Sequence, residues 1–176
     1  MPTGTTVYPG AVCKGDCAEM ILYTVGYRDA DTDRRIPPEQ FYGSLPEDAV
    51  TVDIRSHPYS PFAPYYTGGG VRLAVERWKP GERAFYHVRE VGNTRRDSTG
   101  KRISPPEYLD AETGFARLES ILREHGRATI FCACSYATRD SSTHRCHRFF
   151  VADAMAAQIP GLQVVHVEEQ KAHTSP

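Results

Sequence analysis

Residues 130–150, IFCACSYATRDSSTHRCHRFF, hold three of the chain's five cysteines and two of its seven histidines. The stretch begins as an apolar run, which predicts a buried strand, and it ends at the start of an amphipathic helix. Open α/β sheets usually bind their ligands at such a joint from strand to loop to helix. This stretch therefore predicts both the fold class and the position of a functional site.

Short apolar segments alternate with amphipathic segments along the rest of the chain. The pattern predicts strands over residues 20–26, 50–54, 84–88, 128–132 and 163–167, and helices over residues 37–44, 71–78, 104–125 and 144–158. Such an alternation indicates an α/β fold in three layers, with a mostly parallel sheet of about five strands and helices on both faces.

Local signals predict where several helices begin and end. Thr67 or a glycine after it is the expected cap of helix 71–78, and Thr143 is the expected cap of helix 144–158. Residues 104–107, SPPE, match a capping box with proline at the first helical position. We expect that helix to break near residues 113–114 and to end at Gly126.

Composition and length predict one α/β domain over residues 20–170, with an extension at 1–19 and a polar tail at 171–176. The net charge of −1 disfavours a globally basic nucleic-acid binder, although a local basic patch remains compatible with it. No apolar run is long enough to span a membrane, and no secretory signal is recognisable. We therefore predict a cytoplasmic protein with no membrane partner, and the sequence leaves its oligomeric state open.

Several residues that could bind a ligand or take part in catalysis lie in the segments that follow the predicted strands. Because right-handed crossovers bring the carboxyl ends of parallel strands to one edge, these side chains should meet there. They are Gly26, Tyr27, Asp53, Arg55, Ser56, His57, Arg95, Arg96, Cys132, Cys134, His144, Cys146, His147 and Arg148. In particular, we expect Arg55, Cys146 and Arg148 to face one crevice.

Four short segments of the chain together resemble a known family. Residues 23–27 (YTVGY), 52–56 (VDIRS) followed by Pro58, 91–92 (VG) and 146–148 (CHR) are similar to the Domain of Unknown Function 488 family. The resemblance covers about residues 21–167 and implies a compact intracellular α/β domain without an established reaction. It also implies these site positions: Gly26, Tyr27, Asp53, Arg55, Ser56, Cys146, His147 and Arg148.

The chain departs from the family pattern after the fourth predicted strand. There the family typically has a cysteine followed closely by an acidic residue, whereas this chain has Cys134 and Ser135. An acid–base role of that carboxylate would be absent here, or moved to Asp140 or Glu90. Cys13 and Cys17 lie in the extension, outside the resemblance, and are expected to be unpaired thiols.

The first candidate chemistry is a nucleophilic thiolate at Cys146. The start of a helix and the cations Arg145 and Arg148 stabilise a negative sulfur and can lower a cysteine pKa from about 8.5 to roughly 3.5–7.5. His144 or His147 is a candidate proton carrier. His57 is another acid or base candidate, at the end of the second predicted strand. The alternative is that Cys146 is a small buried side chain in the contact between helix and sheet.

The second candidate chemistry is anion binding. Arg55, Arg148 and the amides at the helix start would bind a phosphate or carboxylate. Residues 89–102 carry five basic and two acidic side chains, so Arg95 and Arg96 could extend the site along a nucleotide or a nucleic-acid backbone. The partner would then be an anionic small molecule or a nucleic acid, and a non-catalytic nucleic-acid-binding or regulatory module is an alternative.

The third candidate is a metal-binding domain. Cys132, Cys134, His144 and Cys146 are possible ligands for zinc or iron, although their spacing matches no common finger pattern. On a helix, the adjacent Cys146 and His147 would point about 100° apart, which disfavours one ion bound by both. The expectation is therefore no cofactor, with zinc or iron as the alternative.

Overall fold

The described part of the chain folds around a six-stranded sheet with helices on both faces. The computed structural model describes residues 5–6 (as backbone), 19–28, 34–58, 64–133 and 145–167. The strands are β1 Thr5–Thr6, β2 Ile21–Gly26, β3 Val50–Asp53, β4 Phe85–His87, β5 Arg127–Cys132 and β6 Gln163–His166. The helices are α1 Pro38–Gly43, α2 Gly68–Trp78, α3 Ala111–His125 and α4 His147–Gln158.

The sheet order is β1-β6-β2-β5-β3-β4. The strands from β2 to β6 pair in parallel, which confirms the predicted α/β class, while β1 pairs antiparallel with β6. The two-residue β1 was missed because it lies in the predicted extension and has no hydrophobic pattern. Cys13 and Cys17 lie outside the described residues, as does the polar tail.

Two hydrophobic cores lie on opposite faces of the sheet. On one face α1 and α2 pack against Val25 of β2 and Phe131 of β5. On the other face α3 and α4 pack against Val52 of β3 and Ile130 of β5. Because successive strand side chains point to opposite faces, the central strands β2 and β5 contribute to both cores. This explains the continuous apolar runs in the sequence.

Helix α3 begins later than the sequence predicts. Asp110 is its N-cap and accepts a hydrogen bond from the backbone N–H of Thr113, whereas the hydroxyl of Ser104 donates to the carbonyl of Arg145. The predicted capping box at residues 104–107 is therefore wrong, because its serine is used in a long-range contact.

The predicted break in this helix is also wrong. Gly114 lies inside α3, where a Cβ would come within 2.6 Å of Val91 Cγ1. The glycine is needed for close packing against the 3₁₀ turn Arg89–Val91. The cap of α2 by Thr67 and the end of α3 at Gly126 are confirmed.

Helix α4 begins at His147, three residues after the predicted start, and Cys146 is its N-cap residue. Cys146 has φ −62° and ψ 139°, so its backbone is extended and not helical. The predicted cap Thr143 lies outside the described residues.

The carboxyl ends of three neighbouring strands meet at one edge of the sheet. Gly26 at the end of β2 is paired with Cys132 at the end of β5, and Asp53 at the end of β3 is paired with Phe131. This edge receives the start of α4. Over the residues described, the helices are too short or too polar to cross a membrane.

Candidate functional site

Two cysteines meet at this edge although they are fourteen positions apart in sequence. Cys132 is the last residue of β5, Cys146 directly precedes α4, and both are buried. Their Sγ atoms lie 2.8 Å apart, and the two residues are not joined by a disulfide. With His147 and Arg148 they form a group that we call the sulfur cluster.

Arg148 extends its guanidinium onto both sulfurs. Its Nη1 lies 3.2 Å from Cys146 Sγ and 3.8 Å from Cys132 Sγ. The guanidinium also lies over the ring of Phe149, 4.5 Å from the ring centroid. Hydrogen bonds from a charged donor stabilise a negative acceptor more than a neutral one. The contact therefore favours the thiolate over the thiol.

Gly26 makes room for this arginine. A Cβ at position 26 would lie 2.9 Å from Arg148 Nη1 and 3.3 Å from Arg148 Cζ. The guanidinium thus passes directly over the backbone at the end of β2. Gly26 was predicted as a ligand-binding position, but the space next to its Cα is filled by the guanidinium of Arg148.

His147 completes the cluster as a buried cation. Its Nε2 lies 3.3 Å from the carbonyl oxygen of Ile54, and the ring also hydrogen-bonds to Cys132 and Cys146. Burial lowers the pKa of His147, but the negative sulfurs raise it more, to about 10 from the usual 6.5. The imidazolium and a thiolate therefore stabilise each other.

Arg55 lies on the face of the sheet that α1 and α2 cover, opposite the sulfur cluster. It therefore does not share a crevice with Cys146 and Arg148, as was predicted. Its guanidinium donates to both carboxylate oxygens of Asp53, at 2.8 and 2.6 Å, and to the carbonyl of Tyr66 at 2.6 Å. Asp53 is fully buried and Arg55 is 2% exposed. Burial lowers the pKa of Arg55, and Asp53 raises it more, so Arg55 stays charged. This bidentate pair holds the fold and does not present a guanidinium to a ligand.

Tyr27, another predicted ligand residue, belongs to the same packed region. Its ring stacks on Tyr66 with centroids 4.2 Å apart, and its hydroxyl lies 3.4 Å from Arg55 Nη1. Burial raises the pKa of Tyr27, and the charge of Arg55 lowers it only in part. Tyr27 is therefore a core residue here.

Two further predicted residues lie next to each other in sequence but in different surroundings. Ser56 is buried, donates to the carbonyl of Asn93 and accepts a hydrogen bond from Arg102 Nη2, both at 3.4 Å. His57 is exposed and does not belong to the sulfur cluster.

A basic loop, residues 95–102, is attached to the edge that holds the sulfur cluster. It carries Arg95, Arg96, Lys101 and Arg102 against one acidic residue, Asp97. Arg102 contacts Ser56, and the nearby Ser104 contacts the carbonyl of Arg145, the residue before Cys146.

Asn93 shapes the base of this loop. Its side-chain amide donates to Ile103 O at 3.0 Å, and its carbonyl oxygen accepts from the backbone N–H groups of Arg95 at 2.9 Å and Glu107 at 3.2 Å. Arg95 donates to the carbonyl of Pro105 at 3.2 Å, and Arg96 donates to the carbonyls of Asn93 at 3.2 Å and of Arg95 itself at 3.0 Å, so both side chains are held against the base of the loop.

The sulfur cluster also has the donor set of a metal site. One potential ligand atom each from Cys132, Cys146 and His147 lies within 4.8 Å of the others. The expectation that Cys146 and His147 point too far apart is wrong, because the extended backbone of Cys146 releases it from helical geometry. The other predicted ligands, Cys134 and His144, lie outside the described residues.

Sequence reasoning missed two contacts that fix this site. The predicted metal alternative included Cys132, but it did not pair the sulfur of Cys132 with that of Cys146. Ser104 was assigned to a helix cap, whereas it bridges to Arg145 across forty-one positions. The signal for the first contact was present, since Cys132 ends a strand and Cys146 starts the helix that follows it.

Comparison with known proteins gives no independent assignment: no family model, no curated protein and no solved structure matches the chain. The resemblance to the Domain of Unknown Function 488 family stays a prediction.

Proposed function

We propose that this protein binds an anionic ligand, a nucleotide or a segment of nucleic acid, beside the basic loop, and that local opening of the start of α4 exposes the buried Cys146 thiolate to it as a nucleophile. The single observation that carries the proposal is the 3.2 Å contact of Arg148 Nη1 with Cys146 Sγ, inside a group that also contains the imidazole of His147. The proposal rests on these residues, and the family resemblance agrees with it only in the positions that it names.

The electrostatics of the cluster support the nucleophile. A thiol is a weak nucleophile until it loses its proton, and adjacent cations lower the pH at which it does so. Cys146 has such a cation in Arg148 and a second in His147, whose pKa of about 10 keeps it protonated at neutral pH. His147 is also the group that can return a proton to a leaving atom.

The position of the basic loop supports the choice of an anionic ligand. Arg96 is exposed and Arg95 partly exposed, and the loop reaches the cluster edge through the contacts of Arg102 with Ser56 and of Ser104 with Arg145. A positive loop raises the local concentration of anions and orients them. Arg55, in contrast, is no longer part of the proposed ligand site.

A pair of alkylating reagents of opposite character tests this proposal. Iodoacetate is an anion and iodoacetamide is neutral, and both alkylate thiolates. At Cys146 we expect the ratio of the iodoacetate rate to the iodoacetamide rate to be several times the same ratio for glutathione, because the basic loop attracts the anion. Trypsin releases Cys146 in the short peptide 146–148, separate from Cys132 and Cys134 in peptide 128–139, so mass spectrometry can follow it alone.

The double variant Arg95→Ser/Arg96→Ser should return this ratio to that of glutathione and leave the rate with iodoacetamide unchanged. Arg72→Ser, which removes an exposed arginine from α2, serves as the control. Equal ratios in the protein and in glutathione would exclude an anion site at the thiolate. In that case, salt-dependent binding of a short oligonucleotide through the same arginines would favour the non-catalytic nucleic-acid-binding module.

A second candidate function is metal binding, favoured by the three donor atoms within 4.8 Å. Two cysteines and one histidine suit zinc, with a fourth position left for water or substrate. The charge of Arg148 at 3.2 Å from Cys146 Sγ opposes a cation there. We expect metal analysis of protein purified without chelators to give well under one equivalent of zinc or iron, whereas one equivalent that is lost in Cys146→Ser would favour this candidate.

The proposal includes a cellular location. A nucleophilic thiolate beside a second thiol stays active only where thiols are kept reduced, which is the condition of the cytoplasm. Fractionation of cells that express the full chain, together with thiol labelling in each fraction, tests this location.

A further inference from the structure

We propose that Cys132 and Cys146 form an intramolecular disulfide when the protein meets a hydroperoxide, and that this bond reversibly switches off the thiolate site. The formation of the bond follows from the geometry of the two sulfurs alone. The switching of activity rests on the function proposed above, since it requires Cys146 to be the nucleophile.

The geometry of the two cysteines favours the bond. Their Sγ atoms are 2.8 Å apart, and a disulfide requires about 2.05 Å, so the sulfurs need to move by less than 1 Å. Cys146 has an extended backbone directly before α4, and Cys132 is held at the end of a central strand. No rearrangement of the sheet is needed to bring the two sulfurs together.

The charges around the pair favour the first chemical step. The Cys146 thiolate attacks one oxygen of the hydroperoxide and breaks the O–O bond, and a proton from His147 completes the alcohol or water that leaves. Cys146 is then a sulfenic acid. Arg148, in contact with both sulfurs, stabilises the attacking thiolate.

The second step closes the bond. The Cys132 sulfur attacks Cys146 Sγ, and the sulfenic hydroxyl leaves as water with the proton of the Cys132 thiol. Two electrons from the two sulfurs have then reduced one hydroperoxide. A dithiol reductant reverses the change by thiol–disulfide exchange.

Burial selects the oxidant. Cys132 is fully buried and Cys146 is 1% exposed, so a molecule as small as hydrogen peroxide reaches them with less opening of the structure than a peptide disulfide needs. The second thiol also lies where it intercepts the sulfenic acid before further oxidation.

Peptide mapping of peroxide-treated protein tests the inference. Reduced full-length protein is exposed to a small excess of hydrogen peroxide, blocked with N-ethylmaleimide and digested with trypsin without reductant. We expect peptide 146–148 to be linked to peptide 128–139, and dithiothreitol to separate them. Because peptide 128–139 contains both Cys132 and Cys134, two matched variants identify the sulfur. Cys134→Ser should keep the link, and Cys132→Ala should lose it and leave a sulfenic acid at Cys146 that dimedone traps.

Each result bears on one proposal separately. Two unlinked thiols after peroxide treatment, or a link that survives in Cys132→Ala and is lost in Cys134→Ser, would overturn the disulfide. A link in wild-type protein together with ordinary alkylation of reduced Cys146 would sustain the disulfide and overturn the proposed nucleophile. If Cys132→Ala does not fold, the link mapped in Cys134→Ser still decides, because that variant leaves Cys132 as the one cysteine in peptide 128–139.

Discussion

Two buried arginines near the same edge of the sheet contrast in what they contact. Arg55 projects to the face of α1 and α2 and forms a bidentate pair with the carboxylate of Asp53. Arg148 projects to the face of α4 and directs its guanidinium to the sulfurs of Cys146 and Cys132. Both side chains are at least nine-tenths buried. The Asp53 carboxylate neutralises Arg55, whereas Arg148 faces a titratable sulfur.

The contrast shows that a buried cation has a chemical effect only through the group that it contacts. Arg55 donates to both oxygens of the Asp53 carboxylate, so Arg55 contributes structure and changes no reactivity. A cysteine sulfur is mostly protonated at neutral pH unless a cation stabilises its charge. The same residue type therefore supports the fold at one position and, in our proposal, the chemistry at the other.

The largest effect is expected from Arg55→Ala. Removal of this side chain leaves the Asp53 carboxylate buried without its cation, and the loss of one partner of a buried pair costs about 3–5 kcal/mol of unfolding free energy. Urea unfolding measures it. Arg72→Ala, which removes an exposed pair with Glu76, should cost less than about 0.5 kcal/mol. A similar small cost for Arg55→Ala would contradict its structural role.

Arg148→Met should change reactivity more than stability. Methionine keeps much of the packing but removes the positive charge beside Cys146 Sγ. We expect the rate of alkylation of Cys146 by iodoacetamide at pH 7 to fall about tenfold, which corresponds to a pKa shift of about one unit. Arg123→Met, which removes an exposed arginine paired with Glu119 on α3, is the control and should react like wild type. An unchanged rate in Arg148→Met would show that the guanidinium does not govern the thiolate.

His147→Gln tests the second cation through pH. Since the pKa of His147 is raised from 6.5 to about 10, its contribution to stability is fully present below about pH 6.5 and is lost as the pH rises through about 10. The difference in unfolding free energy between wild type and His147→Gln should therefore shrink between pH 7 and pH 10. Urea unfolding at several pH values checks this, and a difference that grows with pH would reverse the assigned sign.

Gly26→Ala is the mildest test of the same contact. The new Cβ would lie 2.9 Å from Arg148 Nη1, so the guanidinium must shift by a few tenths of an ångström. We expect the alkylation rate of Cys146 to fall by a few-fold, less than in Arg148→Met. At Gly69 in α2 an added Cβ meets nothing within 4 Å, so Gly69→Ala should leave the rate unchanged. Equal rates in the two alanine variants would remove Gly26 from the site.

The sequence predicted the layers and the strands of this fold well, because strand and helix periods are local properties. Its failures came where contacts across the chain decide the structure. Ser104 bonds to Arg145 and caps no helix, and Cys146 itself has an extended backbone directly before α4. The prediction that Arg55 and Cys146 face one crevice was also wrong, for a simple reason. Asp53 and Arg55 share one face of β3 and its extension, and the sequence did not indicate which face α4 would cover.

The pH dependence of the alkylation rate of Cys146 shows directly whether Arg148 and His147 hold this residue as a thiolate. Iodoacetamide is applied to the wild-type chain between pH 5 and 10, and peptide 146–148 is quantified by mass spectrometry. We predict a rate that rises with an apparent pKa well below 8.5, the ordinary value for cysteine. We also predict that this pKa moves upward in Arg148→Met. A wild-type apparent pKa at or above 8.5 would contradict the proposal that Arg148 and His147 hold Cys146 as a thiolate.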